Sequence, residues 1–206
     1  MNNQRFFAYC GILAPVLFTI LVITASLLRP GYSQTLNFIS DLGVGSYAFL
    51  QNLNFIIFGL LSVGLALGLE GGLPHRKRRS TKAGITLVIL FGLMVMMAGV
   101  FPEDYLLQVP HNLVSALAFL FIIAAQLLVW KGLKDADTSL WGGYRTYCLV
   151  SGILSILLLV VLRVAISTDS DYQGAVQRIF LAVPWIWIGA SGLKLYFLDK
   201  RDQDLK

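Results

Sequence analysis

Ionisable side chains are scarce along this chain, and those that are present gather in a few short stretches. One is "FPEDYLLQVPHNLVSALAF", residues 101–119, where Glu103, Asp104 and His111 lie close together between two apolar runs. Carboxylates and an imidazole at this spacing are the raw material of acid–base work or of a divalent-metal site. A second stretch, "RPGYSQTLNFISDLG", residues 29–43, contributes Arg29, Ser40 and Asp41. A third, "RVAISTDSDYQGAVQR", residues 163–178, contributes Arg163, Asp169, Asp171, Gln177 and Arg178. Arginines at such positions suit phosphate, and carboxylates suit an amine or an arginine.

Two chemistries follow from these types. Asp41, Asp104 and His111 could hold a divalent metal ion and leave one position open for water or substrate. Alternatively His111 serves as base for water or for Ser115, which sits four residues on and shares its helical face. Pro110 favours a first helical turn, so His111 is expected to open a helix, where the dipole disfavours a charged imidazolium. Asp104, placed just after an apolar run, meets the negative end of the preceding helix and is expected to need a cation or metal, with Arg163 and Arg178 as candidates. No HExxH pattern and no G-x-S-x-G pattern is present to commit the chain to an enzyme class. Binding of a lipid headgroup or another small polar ligand by Asp41, Arg163, Gln177 and Arg178 therefore stands ahead of hydrolysis or lipid remodelling.

The elements that must position these groups are apolar. Of 206 residues, 57% are hydrophobic and only 13% are charged, against about 25% charged in a soluble domain. The mean hydropathy is +0.74. Six runs read as membrane spans, at residues 8–28, 52–69, 83–101, 111–130, 144–166 and 175–198. Each must be a helix, because lipid offers the backbone no hydrogen-bond partner. The expectation is an all-α, single-domain bundle of six transmembrane helices. The apolar start of the chain resembles a signal peptide, but no A-x-A-type cleavage site follows, so it reads as the first span.

Lys and Arg set the orientation. Only Arg29, Arg163 and Arg178 of the 16 lie on one side of these spans. This places both termini in the cytoplasm of a cell-membrane protein, with the three polar stretches facing outward. The run "HRKRRSTK" at 75–82 and the net charge of +5 are then features of the inner surface, and no nucleic-acid partner is implied. Cys10 and Cys148 match no metal or redox spacing and read as small buried apolar residues. Gly64 and Gly68, with Gly59 nearby, and Gly189 and Gly192 allow close helix approach within the chain or between copies, so a homo-oligomer or a structural partner subunit fits these faces. No span carries a mid-membrane acid, which argues against a transporter.

Taken in order, "RPGYS", "ISDLG", "GVFPED", "HNLVSALAF" and "VQRIFLAVPWIWIG" resemble the domain-of-unknown-function family 998, six-helix membrane proteins of bacteria and archaea. The resemblance covers residues 11–198. More distantly, "ISDLG" followed by a helix is similar to the start of the DRAM-like membrane proteins. The resemblance implies fold and topology, and emphasises Asp41, Pro102, Asp104, His111, Gln177 and Arg178. It implies no activity. The sequence as a whole predicts that the three outward turns fold toward one another and share a pocket used by membrane lipids or small ligands.

Overall fold

A computed structural model describes residues 3–104 and 106–204. Six helices follow in order: α1 (Asn3–Leu28), α2 (Ala48–Gly72), α3 (Arg79–Val100), α4 (Gln108–Gly132), α5 (Thr138–Ser167) and α6 (Gln173–Asp204), with a 3-10 turn at Ser40–Gly43 between the first two. No strand occurs among the described residues. All six helices are long and apolar enough to cross a membrane. Even α3, with 22 residues, reaches about 33 Å at 1.5 Å per residue, against a hydrocarbon core of about 30 Å.

The helices outrun the apolar runs that announced them. Hydropathy marks the part of a helix that lipid covers, whereas the helix itself continues until its end groups find caps or water. At α5 this is explicit, since Asp137 accepts from the Ser139 backbone N–H at 2.9 Å and so fixes the start at Thr138. In α4 the helix begins at Gln108, with Pro110 inside the first turn and His111 one residue further.

Neighbours in sequence are neighbours in space. α1 packs on α2, α2 on α3, and so on to α6, which returns to α1 and closes a ring; α6 also touches α2. Small residues permit this closeness. A Cβ added to Gly92 of α3 would lie 2.6 Å from the Gly59 carbonyl oxygen of α2, and one on Gly11 of α1 would lie 2.9 Å from the Gly192 Cα of α6. Gly64 and Gly68 meet Cys10 and Phe7 of α1, and Gly189 meets Pro15, so these glycine faces are filled by helices of the same chain. Aromatic rings fill the interior, with Phe18 against Trp185 at 4.1 Å and against Phe58 at 5.0 Å. Trp187, fully buried, donates its Nε1–H to the sulfur of buried Cys148 at 3.3 Å.

Arg5 donates to Asp199 at 2.8 Å, which ties α1 and α6 together where the termini lie. The connections 29–47, 101–107 and 168–172 all fall at the opposite end. Those are the three polar stretches.

Candidate functional site

The three connections form two groupings. In the first, the chain between α1 and α2 folds down onto the start of α6. Gly31 takes a positive φ of 73° after Pro30, a conformation glycine adopts freely. Further on, Asp41 Oδ2 accepts from the Phe38 N–H at 2.9 Å and from the Asn37 side chain at 3.2 Å, closing the turn that leads into Ser40–Gly43. Gln177 of α6 accepts from the Ile39 N–H at 2.7 Å, and the Ala175 N–H donates to the Thr35 carbonyl at 3.1 Å. Gly174 lies directly beneath this loop, where any Cβ would collide with the Asn37 carbonyl oxygen.

Arg178 locks the arrangement. Its Nε–H donates to Gln34 at 2.8 Å, and its terminal nitrogens donate to the carbonyls of Asn37 and Gly174, each at 2.8 Å, and to the Tyr32 hydroxyl. The Tyr32 hydroxyl in turn donates to the Phe38 carbonyl at 2.8 Å. Burial pushes the Tyr32 phenol above its usual range, with the Arg178 charge acting the other way. Arg29 donates to the Asp41 carbonyl, and both guanidiniums lie over the Tyr32 ring, at 5.9 and 5.6 Å from its centre. Two cations thus flank one aromatic ring, with Asp41 the neighbouring carboxylate.

The second grouping surrounds the turn between α3 and α4. Asp104 Oδ1 accepts from the backbone N–H groups of Leu106 at 3.0 Å and Leu107 at 2.8 Å. The carboxylate expected to seek a cation instead satisfies the donors that precede α4, which is the usual employment of Asp at a turn. Glu103, not Asp104, faces the histidine. Its Oε2 lies 3.9 Å from His111 Nε2.

The ring of His111 is buried, and its Nδ1 lies 2.6 Å from the Phe101 carbonyl oxygen. A carbonyl can only accept, so Nδ1 carries a hydrogen. In the neutral imidazole Nε2 is then a bare acceptor. It points toward the Glu103 carboxylate, whose Oε2 is buried and, among the described residues, has no hydrogen-bond partner. Two acceptors face each other across a gap too wide for a direct hydrogen bond. Only a proton or a donor atom from a third group makes that arrangement favourable.

Among the described residues, no hydrogen bond or ion pair joins this turn to the Arg29–Tyr32–Arg178 grouping, and no three His, Cys, Asp or Glu side chains gather to hold a metal ion. Asp41 and Asp104 are instead occupied locally, Asp41 by the Phe38 N–H and the Asn37 side chain and Asp104 by the N–H groups of Leu106 and Leu107. Ser115 is half-buried one turn below His111, and its side chain makes no hydrogen bond among the described residues. Arg163 is exposed on α5, and its side chain makes no hydrogen bond or ion pair among the described residues, as for a side chain reaching for the membrane surface. Asp169, with a φ of 50°, and Asp171 lie exposed in the third connection.

Several polar residues in these surroundings are not apparent from charge patterns. Asn52 donates to the Gly43 carbonyl at 3.1 Å and Asn54 to the Phe18 carbonyl at 3.0 Å, while buried Gln51 accepts from Asn54 at 3.3 Å. Among the described residues, Gln51 Nε2 and Asn54 Oδ1 have no hydrogen-bond partner. The signal for them is "QNLN" at 51–54, three amides crowded into the start of an apolar run.

Six apolar helices closed into a ring, with polar connections at one end, define an integral membrane protein that crosses the bilayer several times. The chain matches the family described as Protein of unknown function (DUF998) over residues 12–194, and it belongs to that family. No curated protein and no solved structure matches it.

Proposed function

We propose that this protein sits in the cell membrane with both termini cytoplasmic and presents an outward-facing polar site that binds a lipid headgroup or another small polar ligand. The observation that carries the reading is the Glu103–His111 gap. A buried carboxylate oxygen without a partner is rare in folded proteins, and here Glu103 Oε2, which has none among the described residues, lies 3.9 Å from an imidazole nitrogen that in the neutral ring can accept but not donate. A ligand hydroxyl or ammonium supplies the missing donor to both. The Arg29–Tyr32–Arg178 grouping, with two cations beside one carboxylate, draws anions such as a headgroup phosphate to the same end of the bundle through its field. Basic residues at the end that bears the termini support the orientation.

The test is the lipid and small-molecule profile that co-purifies with the full chain. Glu103→Gln and His111→Gln should each deplete the same bound species, by about tenfold for loss of a buried charge-assisted contact. Profiles identical to wild type in both variants would sink the proposal.

A second reading rests on the same atoms. With Nδ1 held by the Phe101 carbonyl, His111 Nε2 is placed as an acid–base atom, as in a His-assisted membrane hydrolase. Ser115 or a water molecule would then be the nucleophile. Hydrolysis of a headgroup ester by purified protein, lost in His111→Gln and retained in Ser115→Ala, would favour water as the nucleophile; loss in both would favour Ser115. Binding stands first because Ser115 makes no hydrogen bond to His111.

A further inference from the structure

At the end that bears the termini, α2 and α3 part to leave a crevice of about 600 Å³. Its mouth is lined by Arg76, Lys77 and Lys82, and its lower wall by Leu67, Ile85 and Ile89. Lys82, Ile85 and Ile89 lie on one face of α3, and that helix runs away from the basic end, so Ile89 sits about 10 Å deeper in the bilayer than Lys82. Leu67 descends likewise on α2. The crevice is cationic at the membrane surface and apolar toward the hydrocarbon.

The cations at its mouth are uncommitted. The side chains of Arg76, Lys77 and Lys82 make no hydrogen bond or ion pair among the described residues. Arg78, in the same connection, is held, donating to Asp135 at 2.5 Å and to the Gly132 carbonyl at 3.1 Å. Glu70 is the single carboxylate in the lining, which leaves the mouth net positive. An excess of Lys and Arg at the cytoplasmic end accounts for their sign. It does not account for a recess of ligand size whose polarity changes with depth as a phospholipid's does.

We infer that this crevice is a binding site for one anionic phospholipid of the leaflet facing the basic end, its phosphate held by Arg76, Lys77 and Lys82 and an acyl chain laid along Leu67, Ile85 and Ile89. Basic recesses between membrane helices recognise headgroups in this way. The site lies at the opposite end from the Glu103–His111 gap and stands or falls independently of it.

Native mass spectrometry of the full chain in detergent, with phosphatidylglycerol or phosphatidylcholine added at equal concentration, tests the site. Phosphatidylglycerol adducts should survive in preference to phosphatidylcholine. The pair Arg76→Gln with Lys82→Gln should reduce their retention about tenfold. Thr86→Trp adds bulk at an exposed position of the lining and alters no charge, and should reduce retention similarly. Removing the same charge on the other side of α3, with Lys131→Gln and Lys134→Gln, should leave it unchanged. Equal retention of the two lipids, an equal loss in the control pair, or full retention in Thr86→Trp would each overturn the inference.

Discussion

Two groups of polar residues lie at the end of the bundle opposite the termini, and they are built in opposite ways. Around Tyr32, Arg178 donates to Gln34, to two backbone carbonyls and to the Tyr32 hydroxyl, while Gln177 accepts a loop N–H. Around His111, one side of the ring is anchored at 2.6 Å and the other looks across 3.9 Å at a carboxylate oxygen with no hydrogen-bond partner among the described residues. The first group resembles a latch and the second a socket. Polar groups with their bonds made hold a shape; those left open at a cost in stability are where binding or chemistry is found.

Substitutions should therefore move the two groups in opposite directions. The largest effect belongs to the latch. Arg178→Ala strips donors from the carbonyls of Asn37 and Gly174 and from Gln34, and should destabilise the fold by about 2–4 kcal/mol. Thermal unfolding in detergent reads this directly. A melting temperature equal to that of wild type would show that the loop stays on α6 without the guanidinium, and the contrast would collapse.

Glu103→Gln should act the other way. An amide in place of the carboxylate brings a donor to the bare His111 Nε2, after a small shift to close the gap. Stability is expected to hold or to rise by up to about 1 kcal/mol, while the bound species is lost. Gains in stability at the expense of binding are the mark of a group retained for function. If the same variant melts well below wild type, the carboxylate is part of the scaffold and the socket reading fails.

The smallest effect is expected at a third polar pair, Arg78 and Asp135, at the basic end. The hydrogen bond from Arg78 holds the Asp135 carboxyl below its usual range. Its folded value is thus lower than its unfolded one, so the stabilisation is present above the ordinary Asp range and disappears as pH falls through the lowered value. The pair is solvent-exposed, and exposed pairs contribute little. Asp135→Asn should leave melting at neutral pH nearly unchanged and flatten its fall below about pH 4. If the acid slope is the same in the variant, the fall originates in other carboxylates.

Much of this molecule could be read residue by residue. The six helices are legible because each is a long apolar run, and a backbone in lipid has no alternative to helix. His111 near the start of α4 is legible because Pro110 fits a first turn. The partner of His111 is a different matter. Asp104 and Glu103 are adjacent carboxylates with the same charge, and nothing in their order says which one caps the turn and which one turns inward. The local geometry after Pro102 decides it, giving Asp104 the N–H groups of Leu106 and Leu107 and leaving Glu103 to face the ring. Arg163 and Arg178 look alike as charges flanking the third polar connection, yet one is left exposed on α5 and the other organises the latch.

Sequence alone thus determined the membrane class, the number of helices, the basic end and the three polar connections, because hydropathy and charge are properties of residues one at a time. Tertiary structure alone decided that the first connection lies on α6, that Gly174 must be bare beneath it, and that one carboxylate oxygen of the second has no donor among the described residues. Those facts depend on which distant backbone groups come within hydrogen-bond reach, and that is settled only when the ring of helices has closed.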